Sequence, residues 1–593
     1  MSNYLIVVHD ASATGTLNAW LDANGSPASE RFTTALNRRR HLTIVSKDVE
    51  RSIAGNTYFR GTGVSPENGA VIFGAAGWSK LRRSVDEHGV AGEFVMAAWD
   101  RRSLRVRRDV FSSVGMMHAH GPGFIAVSDS LLLLADLRNK FGLRNTQNSE
   151  AILARSVLNG HAAQQMSPET IVREIQWVPA AQGITIDLRF SAVLRVDGQT
   201  MTDRVLGWQS DRTQTLRSAA AFIAAGTDAL VSIDDWETEL SLSGGYDSRI
   251  ILAGALRNRA VDRMVVVSAN RVAAHQADFA VAKSLAEHFD FGLNPRRDRR
   301  KVVDYGMNPV AIWASTSLGT YDRLMPVTSR RTAERETSLT GIGAEILKGN
   351  WGWTSLRGIV DSIDLADDRR DAFEAQLRKG MTAVGAHPDW ADASELQYIG
   401  YRNGIHGAGH VAMHMNGVRL LQQVAIAALG HVRSDAAEPR ERRSAASFDD
   451  RVGGITDMLA VMNLPLAAMP YDDPRKDIDR EQLAARQSAL GGPLGVDEGG
   501  AVEILGRPDD VPAGPSVLGE SVARRRGFDI GRDPESLLGA MNEGVEALVD
   551  PTVRSVYHEV AEHARWRMVA KGLPPEDAGF STPKALSLVL FSH

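Results

Sequence analysis

Two textures divide the 593 residues and predict an α/β protein in two parts, a mainly β part followed by a doubly wound parallel sheet with a helical C-terminal part. Three observations carry that prediction. Up to about residue 205, short alternating or apolar runs separated by turns recur at 4–8, 70–73, 94–99, 104–106, 124–127 and 183–186, the signature of half-buried strands. From Thr215 onward helix and strand patterns alternate: helix at 216–231, strand at 239–242, helix at 250–257, strand at 263–267, helix at 275–289 and strand at 338–340. That alternation implies a parallel sheet with ligand at the carboxyl ends of its strands. Beyond residue 355 the pattern is mostly helical. Two stretches there read as loose, 434–450 (charged, Ala/Ser-rich) and 491–519 (rich in Gly and Pro), each expected to be a lid or a disordered loop.

A chain of this length exceeds one hydrophobic core. The change of texture sets the expected boundary, with one domain over 1–205 and a second over 206–593.

Composition narrows the partners. The net charge is −5 and basic residues are interspersed with acids, which argues against a nucleic-acid partner. The N-terminus lacks a basic region followed by an apolar stretch, so it reads as a first strand, and no apolar run approaches a membrane span. The expectation is a cytoplasmic protein. Cysteine is absent, which removes disulfides, thiolate metal sites and thiol nucleophiles.

The most informative stretch is Glu239-Leu-Ser-Leu-Ser-Gly-Gly-Tyr-Asp-Ser248. A short strand ending at Leu242 delivers the chain to Ser243, Gly244 and Gly245, whose backbone N–H groups approach phosphate closely for want of side chains, at the start of a helix. Ser243 and Ser248 add hydroxyl donors, and Asp247 a carboxylate for magnesium. A Ser-Gly-Gly-x-Asp-Ser loop of this kind binds pyrophosphate and points to ATP cut between its α and β phosphates. The kinase-type loop, Gly-x-x-x-x-Gly-Lys-Ser/Thr, does not fit, because no lysine sits here.

Two further stretches accompany the loop. The first is Gly92-Glu-Phe-Val-Met-Ala-Ala-Trp-Asp100, followed by Arg107-Arg-Asp-Val-Phe-Ser-Ser-Val-Gly115 and Phe124-Ile-Ala-Val-Ser-Asp-Ser130. The second is Ser338-Leu-Thr-Gly-Ile-Gly-Ala-Glu-Ile-Leu-Lys-Gly349. With them the chain resembles the asparagine synthetase superfamily, over residues 1 to about 350 and weakly afterwards. The resemblance implies an amidotransferase (Ntn-like) α+β sandwich domain, then a doubly wound PP-loop ATP pyrophosphatase domain. It places Glu345 where the family has a second magnesium-binding aspartate and puts Gly341 at the nucleotide. Val267, Ser268 and Ala269 fall where the family's backbone recognises adenine. Lys476, and alternatively Lys348, is the expected cation near the α phosphate. Asp278 matches a common acidic position and reads equally as a surface or capping residue.

Glutamine-dependent members release ammonia with an N-terminal cysteine, whereas Ser2 would be first here once Met1 is removed. The resemblance therefore implies an inactive amidotransferase domain and an amine that arrives with the substrate. Branches of this kind include β-lactam synthetases and lasso peptide cyclases. Ile342 stands where the β-lactam branch has a proton-transferring tyrosine, so the chain looks more like a lasso peptide cyclase. That resemblance implies a macrolactam synthetase which uses ATP and Mg2+ to adenylate an Asp or Glu side chain of a ribosomal peptide. The peptide N-terminal amine then closes the ring, with release of AMP and pyrophosphate. The implied partners are the precursor or core peptide and a leader peptidase. Alternatives left open are a small-molecule amide ligase and a nucleotide-binding scaffold.

Other candidates come from spacing. Glu395, on an expected helix with Tyr398 and Arg402, is a candidate proton acceptor or an ordinary helical ion pair. His406, His410 and His414 share a spacing of four, read as packed or substrate-lining rather than metal-binding. Trp351 and Trp353 read as core or peptide-contacting aromatics.

Overall fold

The computed structural model describes residues 4–81, 86–208, 210–270, 272–295, 301–304, 308–324, 329–332, 335–408, 417–431, 448–496, 498–512, 514 and 516–592. It is a mixed α/β protein with several sheets. Among the described residues no helix is long and apolar enough to cross a membrane.

The first part contains two largely antiparallel sheets. One orders its strands as Ile175–Trp177, Met117–Gly121, Phe124–Ser128, Leu5–Asp10, Arg40–Val45 and Arg31–Ala35. The other runs Val193–Asp197, Gly183–Asp187, Ser103–Arg108, Ala91–Trp99, Thr57–Ser65, Ala70–Phe73 and Glu503–Leu505. Side chains alternate across each strand, and the first strand shows the consequence. Tyr4, Ile6 and Val8 meet Val95, Val106 and Ile184 of the other sheet, while Leu5 and Val7 face the helices on the outer side.

The second part is built on a parallel sheet ordered Met264–Val267, Glu237–Ser241, Glu336–Leu339, Gly417–Val418. The strand Glu237–Ser241 has its successor on one side and Glu336–Leu339 on the other, so the order reverses beside it. A reversal of this kind opens a crevice at the carboxyl ends of the strands. The helix Arg212–Val231 precedes the central strand and Tyr246–Arg257 follows it, and both bury apolar faces in one core with Leu240 and Leu339.

The two parts are interleaved. The strand Glu503–Leu505 returns to pair in parallel with Ala70–Phe73, and helices from Val517 to the C-terminus pack on the outer side of the first sheet. The stretch 491–519, expected to be loose, is therefore anchored where described. Arg217 donates to the carbonyls of Leu490, Gly492 and Pro493 and pairs with Glu498 at 2.6 Å. Of the other loose stretch, 434–447 lies outside the described residues, and a helix, Phe448–Ala467, begins at its end.

Candidate functional site

The strand Glu237–Ser241 ends in the crevice, and Leu242 is held there by its buried side chain and by donation from its N–H to the Val267 carbonyl at 2.8 Å. Ser243, Gly244 and Gly245 then turn the chain into the helix Tyr246–Arg257. The turn is stitched by Ser248, whose Oγ accepts from the Ser243 N–H at 3.0 Å and lies 3.1 Å from Ser243 Oγ. Among the described residues no side chain caps this helix, whose N-terminus follows the carboxyl end of the central strand.

The second loop is pressed against the first. A Cβ on Gly341 would come within 2.4 Å of Ser248 N and 2.5 Å of Asp247 C, so only glycine allows the approach. Two residues on, Gly343 has φ +108°, and a Cβ there would meet Gln422 N at 2.7 Å. Glu345 opens the short helix Glu345–Lys348 and accepts from the Gly343 N–H at 2.8 Å and from Asn403 Nδ2 at 2.6 Å. Gln422 Nε2 bonds Asn403 Oδ1 at 3.2 Å in turn. Burial pushes the Glu345 carboxyl above its ordinary pKa, and the charge of Asp247 adds to the shift. Asp247 and Glu345 thus share one end of the crevice.

Both expected lysines reach this region. Lys348 Nζ lies 2.7 Å from each oxygen of Asp247. Lys476 pairs with Asp472 at 2.8 Å, and its carbonyl accepts from the Tyr246 hydroxyl. Asp472 stands beside Gly244, since a Cβ on that glycine would sit 2.8 Å from Asp472 Cβ. Asp278 is no idle surface charge, because its Oδ1 accepts from the Gly244 N–H at 2.7 Å.

The chain matches no family model, and no curated protein is significantly similar to it.

Magnesium fits the donor set. It commonly takes one or two carboxylates and completes its shell with phosphate oxygens and water, which Asp247 and Glu345 would allow. Among the described residues no group of three or more His, Asp or Glu side chains is arranged to hold a metal ion unaided. His410 and His414 lie outside the described residues. His406 Nδ1 is 2.6 Å from the Tyr321 hydroxyl, and burial with the nearby Arg402 holds its pKa down to about 4.

Of the adenine candidates, Val267 and Ser268 adjoin the loop with backbone groups already engaged. Asn294 closes both the N–H and the carbonyl of Ser268 (2.8 and 3.0 Å), and the Val267 carbonyl takes the Leu242 N–H. Ala269 is exposed.

Glu395 is engaged by the backbone. Its buried carboxylate accepts backbone N–H groups of Asn350, Trp351, Gly352 and Trp353, and burial raises its pKa against their pull. It thereby fixes the turn that follows Lys348. Trp353 Nε1 donates to the Lys348 carbonyl at 3.1 Å, and Trp351 packs on His161 and Tyr398 with ring centres 4.4 and 5.3 Å away. Arg402 donates to the Gln164 side chain at 2.6 Å.

Sequence reading missed Arg249, Asn403, Gln422 and Asp472. Arg249 is fully buried, lies 3.6 Å over the Tyr471 ring and donates to the carbonyls of Leu466, Met469 and Pro470, which ties the Lys476 segment to the helix carrying Asp247. A lone arginine beside Ile250 and Ile251 was the available signal. The others become visible only when distant segments meet.

Proposed function

We propose that the chain is an ATP-dependent carbon–nitrogen ligase of the asparagine synthetase type, which closes a macrolactam ring in a ribosomal peptide. The observation that carries this reading is the close approach of Gly341 to Asp247 and Ser248. It puts a glycine-rich turn, an uncapped helix N-terminus and two carboxylates at one reversal of a parallel sheet, where ligands of such sheets bind. The sandwiched antiparallel sheets of the first part agree with an amidotransferase-like (Ntn-like) domain, and a chain without cysteine offers no thiol to release ammonia.

In this reading the amides of residues 243–245 and the hydroxyls of Ser243 and Ser248 hold the phosphates, while Asp247 and Glu345 hold magnesium. The metal, when bound, neutralises phosphate charge. A carboxylate expels oxide too poorly to react with an amine. Its oxygen therefore attacks the α phosphorus of ATP, pyrophosphate leaves, and an acyl adenylate results. The fixed donors of the loop stabilise charge growing on pyrophosphate, and Lys348 and Lys476 are the candidate cations. The peptide amine, with an ordinary pKa of about 8, attacks the acyl carbon in its neutral form; the bond to AMP breaks, AMP leaves and the amine's surplus proton passes to water. Holding the two ends together supplies much of the barrier reduction.

The test is incubation with ATP, magnesium and candidate core peptides. The expected products are AMP, pyrophosphate and a peptide lighter by one water. ADP as the nucleotide product would overturn the proposal, and turnover of a free amino acid derivative would replace the peptide with a small molecule.

A further inference from the structure

The charges around the loop are paired with one another in a pattern that repeats its expected ligand. An ammonium, Lys348, lies on both oxygens of Asp247, and a carboxylate oxygen, Asp278, lies on the Gly244 N–H. A divalent cation on Asp247 and a phosphate oxygen on that amide would need the same two positions. One N–H serves one strong acceptor, and a carboxylate whose two oxygens hold an ammonium cannot grip a metal equally well.

We propose that nucleotide and metal enter this site by ion exchange. The metal displaces Lys348 from Asp247, a phosphate oxygen displaces Asp278 from the Gly244 N–H, and the freed Lys348 ammonium turns to the phosphates. This inference rests on reading the loop as a nucleotide site.

Burial separates this exchangeable pair from the permanent ones. The Lys348 and Asp247 side chains are 28% and 34% exposed, so water compensates each partner when they part. Arg419 and Glu93, which tie the end of the parallel sheet to the first part, are each 5% exposed, and Lys584 and Asp322 are fully buried. Breaking those pairs would strand a charge. The place of Lys348 in the chain also suits exchange. Its backbone is held by the turn fixed by Glu395 and by Trp353, while four methylenes let its head swing.

Calorimetric binding of α,β-methylene-ATP, titrated with magnesium, tests the exchange in wild type, Lys348→Met and Asp278→Asn. Lys348→Met is expected to reach half-maximal binding at a magnesium concentration about 2- to 5-fold lower, the fold-change of a partly exposed ion pair, yet to bind nucleotide more weakly at saturating metal. Asp278→Asn is expected to tighten nucleotide binding at every magnesium concentration. Wild-type metal and nucleotide dependence in both variants would overturn the proposal. If the wild type binds no nucleotide at any magnesium concentration, the reading of the loop falls and the exchange with it. A double-mutant cycle on Asp247 and Lys348, read by denaturation without nucleotide, separates that failure from absence of the ion pair, because coupling would persist in the first case only.

Discussion

Two polar corners of this molecule, both carried by motifs visible in the sequence, use their charges in opposite ways. At the corner in the first part, Asp109 is fully buried and accepts the backbone N–H groups of Phe111, Ser113 and Val114, and burial pushes its pKa up to about 6. Its neighbour Arg108 donates to the carbonyls of Val114 and Val178, and burial pulls its pKa down to about 10. At the corner in the second part, the Asp247 side chain is a third exposed and pairs with another movable side chain, Lys348. The first corner spends its charges on backbone and holds a turn together. The second holds its charges in a part-exposed pair of side chains, which the proposed ligand would separate. A charged motif is thus better judged by what its partner is than by how well it matches a pattern.

The widest separation between the corners is expected in stability. Asp109→Ala leaves three buried N–H groups unpaired and should cost about 3–5 kcal/mol, read as a lower urea midpoint. Asp247→Ala should change stability by less than ~0.5 kcal/mol. A larger loss from Asp247→Ala than from Asp109→Ala would break the comparison.

Gly341→Ala sharpens it, since the added Cβ must push against backbone at 2.4 Å. We expect a loss of roughly 1–3 kcal/mol, typical of overpacking, together with loss of nucleotide binding. Retained binding in equilibrium dialysis would show that the two loops need not touch. On activity, Asp247→Ala should lower peptide-dependent pyrophosphate release by about 10²-fold or more, in line with removal of one electrostatic contact to a transition state.

The smallest effect is that of pH. Burial holds His161 and His406 down to about 4, with Arg402 adding to both. Between that value and the ordinary ~6.5 the unfolded chain binds more protons than the fold, so stability should fall as pH drops through this window. Replacing His161 by Asn should flatten the decline of the denaturation midpoint between pH 6.5 and 4. An unchanged slope would mean that the imidazole is already protonated in the fold.

Elements with strong periodicity were legible. The strand at 70–73 and the helices around 216–231 and 275–289 appear within a few residues of their expected limits. Thr57–Ser65 was not legible, because Gly61 and Gly63 interrupt its pattern and its buried Arg60 donates to the Gly514 carbonyl, a partner far along the chain. Glu503–Leu505 was hidden for a related reason, since three residues in a Gly/Pro-rich stretch become a strand only when Ala70–Phe73 supplies the ladder. At the site, the glycines and Asp247 could be read because close backbone approach limits residue choice. The pairing of Lys348 with Asp247, and the use of Asp278 and Glu395 as backbone acceptors, depend on loops meeting in space and leave no local trace.

Hydrogen–deuterium exchange, resolved to peptides, tests the central assignment most directly. On addition of α,β-methylene-ATP with magnesium, the account predicts slowed exchange over residues 243–248 and 341–348, and little change at the Arg108–Asp109 corner. Unchanged exchange at both loops, or protection confined to another part of the molecule while nucleotide is bound, would contradict it.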